Sequence, residues 1–171
     1  MPHPSRIGWL SAAAALALTL SATATADAAL WTQAVITPET ALKAALAAQD
    51  ECRKHGWQST VSVVDPAGLP LVVLRDRYAG WHTLEAATGK ARTAISWRQP
   101  ISAVAARVVR PDSPEQAIVN LPGVTMIGGG IPIEAGGQMA GAIGVSGAPG
   151  GDNDDICAKA GIAAIDADLA F

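Results

Sequence analysis

The sequence predicts an α+β fold, an antiparallel sheet flanked by helices, on three observations. Apolar residues recur at helical spacing near 38–55 and 81–97. Two β-branched runs are joined by the short turn Asp65-Pro66-Ala67-Gly68. Glycine-punctuated strands then precede a last helical stretch. Helix, hairpin, helix, connection, strands, helix is the order of a layered fold in which each element buries one face.

The N-terminus reads as a secretory signal peptide over residues 1–26. Arg6 leads into the apolar run Ile7 to Leu20, and small residues follow through Ala28. Ser11, Thr19 and Ser21 interrupt the stretch, and it is shorter than the roughly 20 apolar residues a membrane helix needs. Ala24-Thr25-Ala26 offers a cleavage frame before Asp27, and Ala26-Asp27-Ala28 also has the small-x-small pattern. The expected product is periplasmic or secreted, with no membrane insertion once the leader is removed. Residues 27–36 read as a flexible N-terminal segment and 37–171 as a single domain.

Thr37-Pro38-Glu39 opens the first helix, with Thr37 as N-cap, Pro38 in the first turn and Glu39 favourable to the dipole. Its apolar face is Ala41, Leu42, Ala45, Leu46, Ala48 and Cys52, and Gly56 stops it. Ser59 to Val64 and Leu69 to Arg75 form a β-hairpin. The second helix runs from Trp81 to Trp97 with Leu84, Ala87, Ala91, Ala94 and Ile95 on one side, and Pro100 ends it. Ile101 to Arg110 suits a further short helix, whereas Glu115 to Leu121 has no decisive pattern. Thr125 to Ile127, Ile131 to Ile133 and Gln138 to Ser146 read as strands, and Asp152 or Asn153 caps a final helix to about Leu169.

Removal of Arg6 with the leader takes the formal charge from −3 to −4. A mildly acidic chain without a Lys or Arg run lacks the attraction that drives binding to phosphate backbones, so nucleic acid is not an expected partner. Cys52 lies one turn before the end of the first helix and Cys157 one turn into the last. If those helices pack antiparallel on one sheet face, a disulfide closes in an oxidising compartment. The alternative is two buried thiols packing as small apolar residues.

Gly128-Gly129-Gly130-Ile131-Pro132-Ile133, followed by Gly141-Ala142-Ile143-Gly144-Val145-Ser146-Gly147-Ala148, resembles the glycine-rich signature of GlcG/HbpS-type proteins. Val63-Val64-Asp65-Pro66-Ala67-Gly68 resembles the family's first hairpin, Lys90-Ala91-Arg92-Thr93-Ala94 its second-helix motif, and Asp154-Asp155-Ile156-Cys157-Ala158-Lys159-Ala160-Gly161 its last-helix motif. The C-terminal domain of PduO-type proteins is similar. The resemblance implies a profilin-like α/β sandwich, assembly into homo-oligomers such as octamers, and binding of haem or a related tetrapyrrole in several members.

His82 is the leading metal ligand, because it stands at the start of the second helix between Tyr78, Trp81 and Glu85 in an exposed stretch. The helix dipole there favours a neutral imidazole nitrogen, Tyr78 is an alternative iron contact, and Trp81 offers a ring to stack on a porphyrin. The competing reading of His82 is a solvent-facing histidine; His55 reads as a helix C-terminal residue. Lys90 is a candidate propionate partner or amine base, or else a surface residue whose stem lies along the helix. Gly129 and Gly130 offer backbone amides to an anionic group, although three glycines more simply build a tight turn or a close backbone approach. Arg75 and Arg77 suit a solvated strand end. Asp152, Asp154 and Asp155 read as a cap with first-turn charge rather than as a metal site. There is no serine elbow, zinc motif or Cys-x-x-Cys, and no catalytic residue stands out.

The leading functional reading is an exported protein that binds haem or a similar small, planar, anionic ligand. A lyase or isomerase acting on a small hydroxy- or oxo-acid through Lys90 and Glu134 is the enzymatic rival. A ligand-sensing accessory protein acting through a protein partner is the third.

Overall fold

The structure, a computed structural model, describes residues 31–170, so the expected signal peptide and its cleavage site lie outside the described residues. Helix α1 spans Pro38–Lys54, and the Thr37 hydroxyl caps it by accepting the Thr40 N–H. Strands β1 (Thr60–Val64) and β2 (Pro70–Arg75) form the hairpin, α2 spans Thr83–Trp97 and α3 spans Ile101–Val108. A short 3-10 turn covers Gln116–Asn120 before β3 (Gly130–Ala135), β4 (Gln138–Ser146), α4 (Gly151–Ala163) and α5 (Asp166–Leu169). The sheet is antiparallel in the order β2-β1-β4-β3. This is the expected α+β sandwich. Among the described residues, no helix is long and apolar enough to cross a membrane.

Strand alternation decides which side each residue serves. Val61, Val63, Ile131, Ile133, Ile143 and Val145 point to one face, where α1 and α4 cover them. Thr60, Ser62, Val64, Ala142, Gly144 and Gly130 belong to the other face, beneath α2. The α1 side is closed by alanines. Ala41, Ala44, Ala45 and Ala48 are fully buried, and a Cβ on Gly161 of α4 would come 2.7 Å from the Ala44 carbonyl oxygen. Cys52 and Cys157 join α1 to α4 with a Cα–Cα separation of 5.4 Å, and both are buried.

Several elements differ from the sequence reading. Leu42 and Leu46 are exposed, because α1 packs through its alanine stripe and turns both leucines outward. Thr125 to Ile127 is not a strand; the Thr125 N–H donates instead to the Thr93 hydroxyl on α2. Gly150, with φ of 95°, precedes α4 in place of an Asp152 or Asn153 cap, and the helix breaks before α5. The segment read as flexible ends tied down: Ile36 is buried and donates its N–H to Ala140.

Candidate functional site

Helix α2 is drawn down onto β4 and β3 because glycines face it. A Cβ on Gly144 would fall on the Ala87 carbonyl, and one on Gly130 would fall on the Lys90 carbonyl. The helix therefore lies over β3, β4 and β1 and barely over β2. Beside it, at the β2 edge, a cleft of about 820 Å³ opens, lined by Val73, His82, Leu84, Glu85, Arg92 and Val124 among others. A smaller cleft of about 340 Å³ lies on the other side of His82, between α2 and the start of α4. His82 and Ala86 line both.

His82 is exposed immediately before α2, and its side chain makes no hydrogen bond to protein among the described residues. Its ring sits against Gly80, where a Cβ would come 2.6 Å from the imidazole Cε1. Trp81 meets it edge-on with ring centroids 6.0 Å apart. Trp81 and Tyr78 are 79% and 77% exposed and line neither cleft, and Arg77 stacks over the Tyr78 ring. Both aromatics thus stand outside the linings to which the sequence reading assigned them as ligand contacts.

Lys90 is not a surface residue. It is 2% exposed, its Nζ lies 2.6 Å from the Asp154 carboxylate, and it donates to the Val145 carbonyl at 3.0 Å. Lys90 shares the buried face of α2 with Ala87, Ala91 and Ala94. Asp154 also accepts the Ala148 N–H, and burial pushes its carboxyl above the ordinary carboxylate value while the Lys90 ammonium opposes that rise. Asp155 is buried as well and accepts the Gly129 N–H. The Asp154 and Asp155 pair thus anchors α4 to α2 and β3, a role beyond first-turn charge.

This arrangement removes two expected ligand contacts. Gly129 has its amide committed to Asp155, and with φ of 108° it lies where any side chain would strike Asp154 and the Val145 carbonyl. Gly130 is buried against α2. Both glycines serve close packing. Glu134 is exposed on β3 and does not line the cleft that Lys90 lines, so the pairing behind the lyase or isomerase reading is not assembled. Among the described residues, no group of three or more His, Cys, Asp or Glu side chains is placed to hold a metal ion.

Residues 36–163 match the HbpS-like family, described as "Haem degrading protein HbpS-like". The chain belongs to the HbpS-like family. Protein GlcG of Escherichia coli K12 is 29% identical over 115 residues, 67% of this chain and 84% of GlcG. Among HbpS-like crystal structures, a Streptomyces reticuli HbpS carrying two glutamate-to-aspartate changes superposes with a TM-score of 0.74. It is 37% identical and covers 90% of this chain and 97% of its own. A complex of PduOC with haem superposes with a TM-score of 0.72 at 26% identity, covering 77% of this chain and 95% of its own.

One site residue carried no functional signal in the sequence. Arg92 stood inside the second-helix motif as part of a family pattern. In the fold it reaches the hairpin turn, where its Nε donates to the Gly68 carbonyl at 2.8 Å.

Proposed function

We propose that the protein is an exported haem-binding protein that seats its planar, anionic ligand in the larger cleft beside α2, with His82 as the iron contact. The observation that carries this reading is an exposed imidazole with no protein hydrogen bond, standing on the wall of a cleft of about 820 Å³. That volume lies in the range of ligand sites, roughly 300–1,000 Å³. The lining also fits the group: Val73, Leu84 and Val124 supply apolar surface, His82 a nitrogen donor, and Arg92 a cation for carboxylates. Bound haem would supply the iron and the conjugated ring, while the chain supplies the donor, the walls and the counter-charge. Tyr78 lies outside the lining, which favours His82 over it.

Family membership and the haem complex of PduOC support the ligand class. Export is supported by the leader pattern of residues 1–26 and by the Cys52–Cys157 bond, which persists in an oxidising compartment. Assembly into a homo-oligomer is part of the proposal, because Leu69, Val73 and Leu84 remain 59%, 41% and 40% exposed near the open cleft. Light scattering should give a mass above one chain at micromolar concentration; a monomer would contradict it.

Titration of the purified protein with haemin, followed by absorbance, tests the central step. A saturable Soret band is expected, and His82→Ala should shift it or weaken binding several-fold. Absence of a saturable band in wild type rejects the function, whereas a silent His82→Ala rejects only the iron contact. The same titration separates binding from the degradation named in the family's description, since bleaching with time marks the latter.

A further inference from the structure

The larger cleft does not end at Val124. It continues into a second space of about 420 Å³ along the outer side of α2, and the two share Arg92, Gly123 and Val124. Arg92 is the one charged side chain common to both.

Its guanidinium is held in place by the hairpin. Asp65 braces the turn by accepting the N–H groups of Ala67 and Leu69, at 2.9 and 2.8 Å. Gly68, at φ of 79°, presents its carbonyl to the Arg92 Nε, and a Cβ there would already touch the arginine stem. This engages one donor of the fork. Nη1 and Nη2 make no hydrogen bond and no ion pair among the described residues, and the residue is exposed. An arginine fixed at Nε with both terminal nitrogens free is prepared for a carboxylate, which accepts two parallel N–H bonds from such a fork.

The charge along the cleft has a direction. Glu85 lines the His82 end, and Arg92 stands ten residues beyond His82, a helical rise of about 15 Å. A ligand that engages both ends is extended, with its acidic edge turned away from Glu85 and toward Arg92. On the haem-binding reading above, we infer that Arg92 is the carboxylate anchor of the cleft and sets the orientation of the bound tetrapyrrole by gripping a propionate.

Three probes separate this from the iron contact: haemin, haemin dimethyl ester, which lacks free carboxylates, and iron-free protoporphyrin IX. Wild type should bind haemin about ten- to one-hundredfold more tightly than the ester, a comparison that needs no substitution. Arg92→Gln should weaken haemin and protoporphyrin binding by a similar factor and leave the ester unchanged. Arg92→Lys should fall between, because it keeps the charge and loses the fork. Arg110→Ala, at an exposed arginine that lines neither space, controls for net charge and should change neither. His82→Ala should weaken haemin and spare protoporphyrin. If wild type binds haemin and Arg92→Gln binds it equally well, or loses ester affinity in parallel, Arg92 is not the anchor and the haem reading stands. If wild type binds neither haemin nor protoporphyrin, the haem reading falls and the anchor with it.

Discussion

The two faces of the sheet are packed by the same kind of residue and finish differently. On the α1 and α4 side, alanines and Gly161 bring two helices against the strands, and the Cys52–Cys157 bond closes them together. On the other side α2, with Ile101 of α3 packed beside it, is drawn over β3 and β4 by Gly130 and Gly144, which leaves β2 and Val73 largely uncovered. Small residues allow close approach, but a long helix and one turn of a short one cannot cover four strands when both sit toward β3 and β4. The first face is closed by its own two helices; the second leaves an open cleft.

The costliest substitution should fall on the ion pair that holds α2. Lys90→Met leaves the Asp154 carboxylate buried without its ammonium, and denaturant unfolding at neutral pH should show a loss of about 3–5 kcal/mol. Adding Asp154→Leu should cost less than the sum of the single changes, because the pair then disappears together. A loss below 1 kcal/mol for Lys90→Met would mean that the pair does not hold α2. On the closed face, Cys52→Ala with Cys157→Ala should cost about 2–4 kcal/mol by releasing a 105-residue separation in the unfolded chain. Equal melting of oxidised and reduced protein would show that the alanine packing suffices without the bond.

Gly144→Ala should come next, at about 1–3 kcal/mol, since the added methyl meets the backbone of α2 rather than a flexible side chain. It should also disturb the cleft, and a haem titration on this variant links the packing to the site. The pH dependence is smaller. Burial raises the Asp154 carboxyl above its ordinary value of 3.8, so the folded chain keeps that proton to higher pH than the unfolded chain does. Across that window the folded state binds more protons, and this group's contribution to stability falls as pH rises. Wild type should therefore lose ground to Asp154→Asn as pH increases from about 4, and the opposite slope would reject the assignment. Leu46→Ser should cost no more than about 1 kcal/mol, because Leu46 is 45% exposed on the closed face. A large loss there would show that this face, too, is covered by another copy.

Most of the fold was legible because its signals are local. Thr37-Pro38 starts α1, and Asp65-Pro66-Ala67-Gly68 turns the hairpin through its own hydrogen bonds. The errors came where tertiary packing chose among residues that local pattern treats alike. Leu42 and Leu46 fit helical spacing as well as Ala44 does, yet only the alanine is small enough for the approach of α4. Lys90 suits a propionate partner, an amine base or a surface residue by its type alone, but it stands among Ala87, Ala91 and Ala94 on the apolar stripe, and that placement is a usable sign of burial. Asp154 gave no comparable sign, since its partner is 64 residues away. Arg92 was equally silent, because its aim depends on a hairpin carbonyl 24 residues earlier. Trp81 and Tyr78 drew attention as aromatics and stand outside the cleft lining, whereas His82, next to Trp81, lines it.

On the proposed function, the open α2 face, and not the closed α1–α4 face, takes the ligand. Hydrogen exchange of the protein with and without haemin measures this directly. Protection should concentrate in residues 82–92 and 123–125, with α1 and α4 exchanging at unchanged rates. Protection centred on α1 and α4, or none anywhere while a saturated Soret band is present, would contradict it.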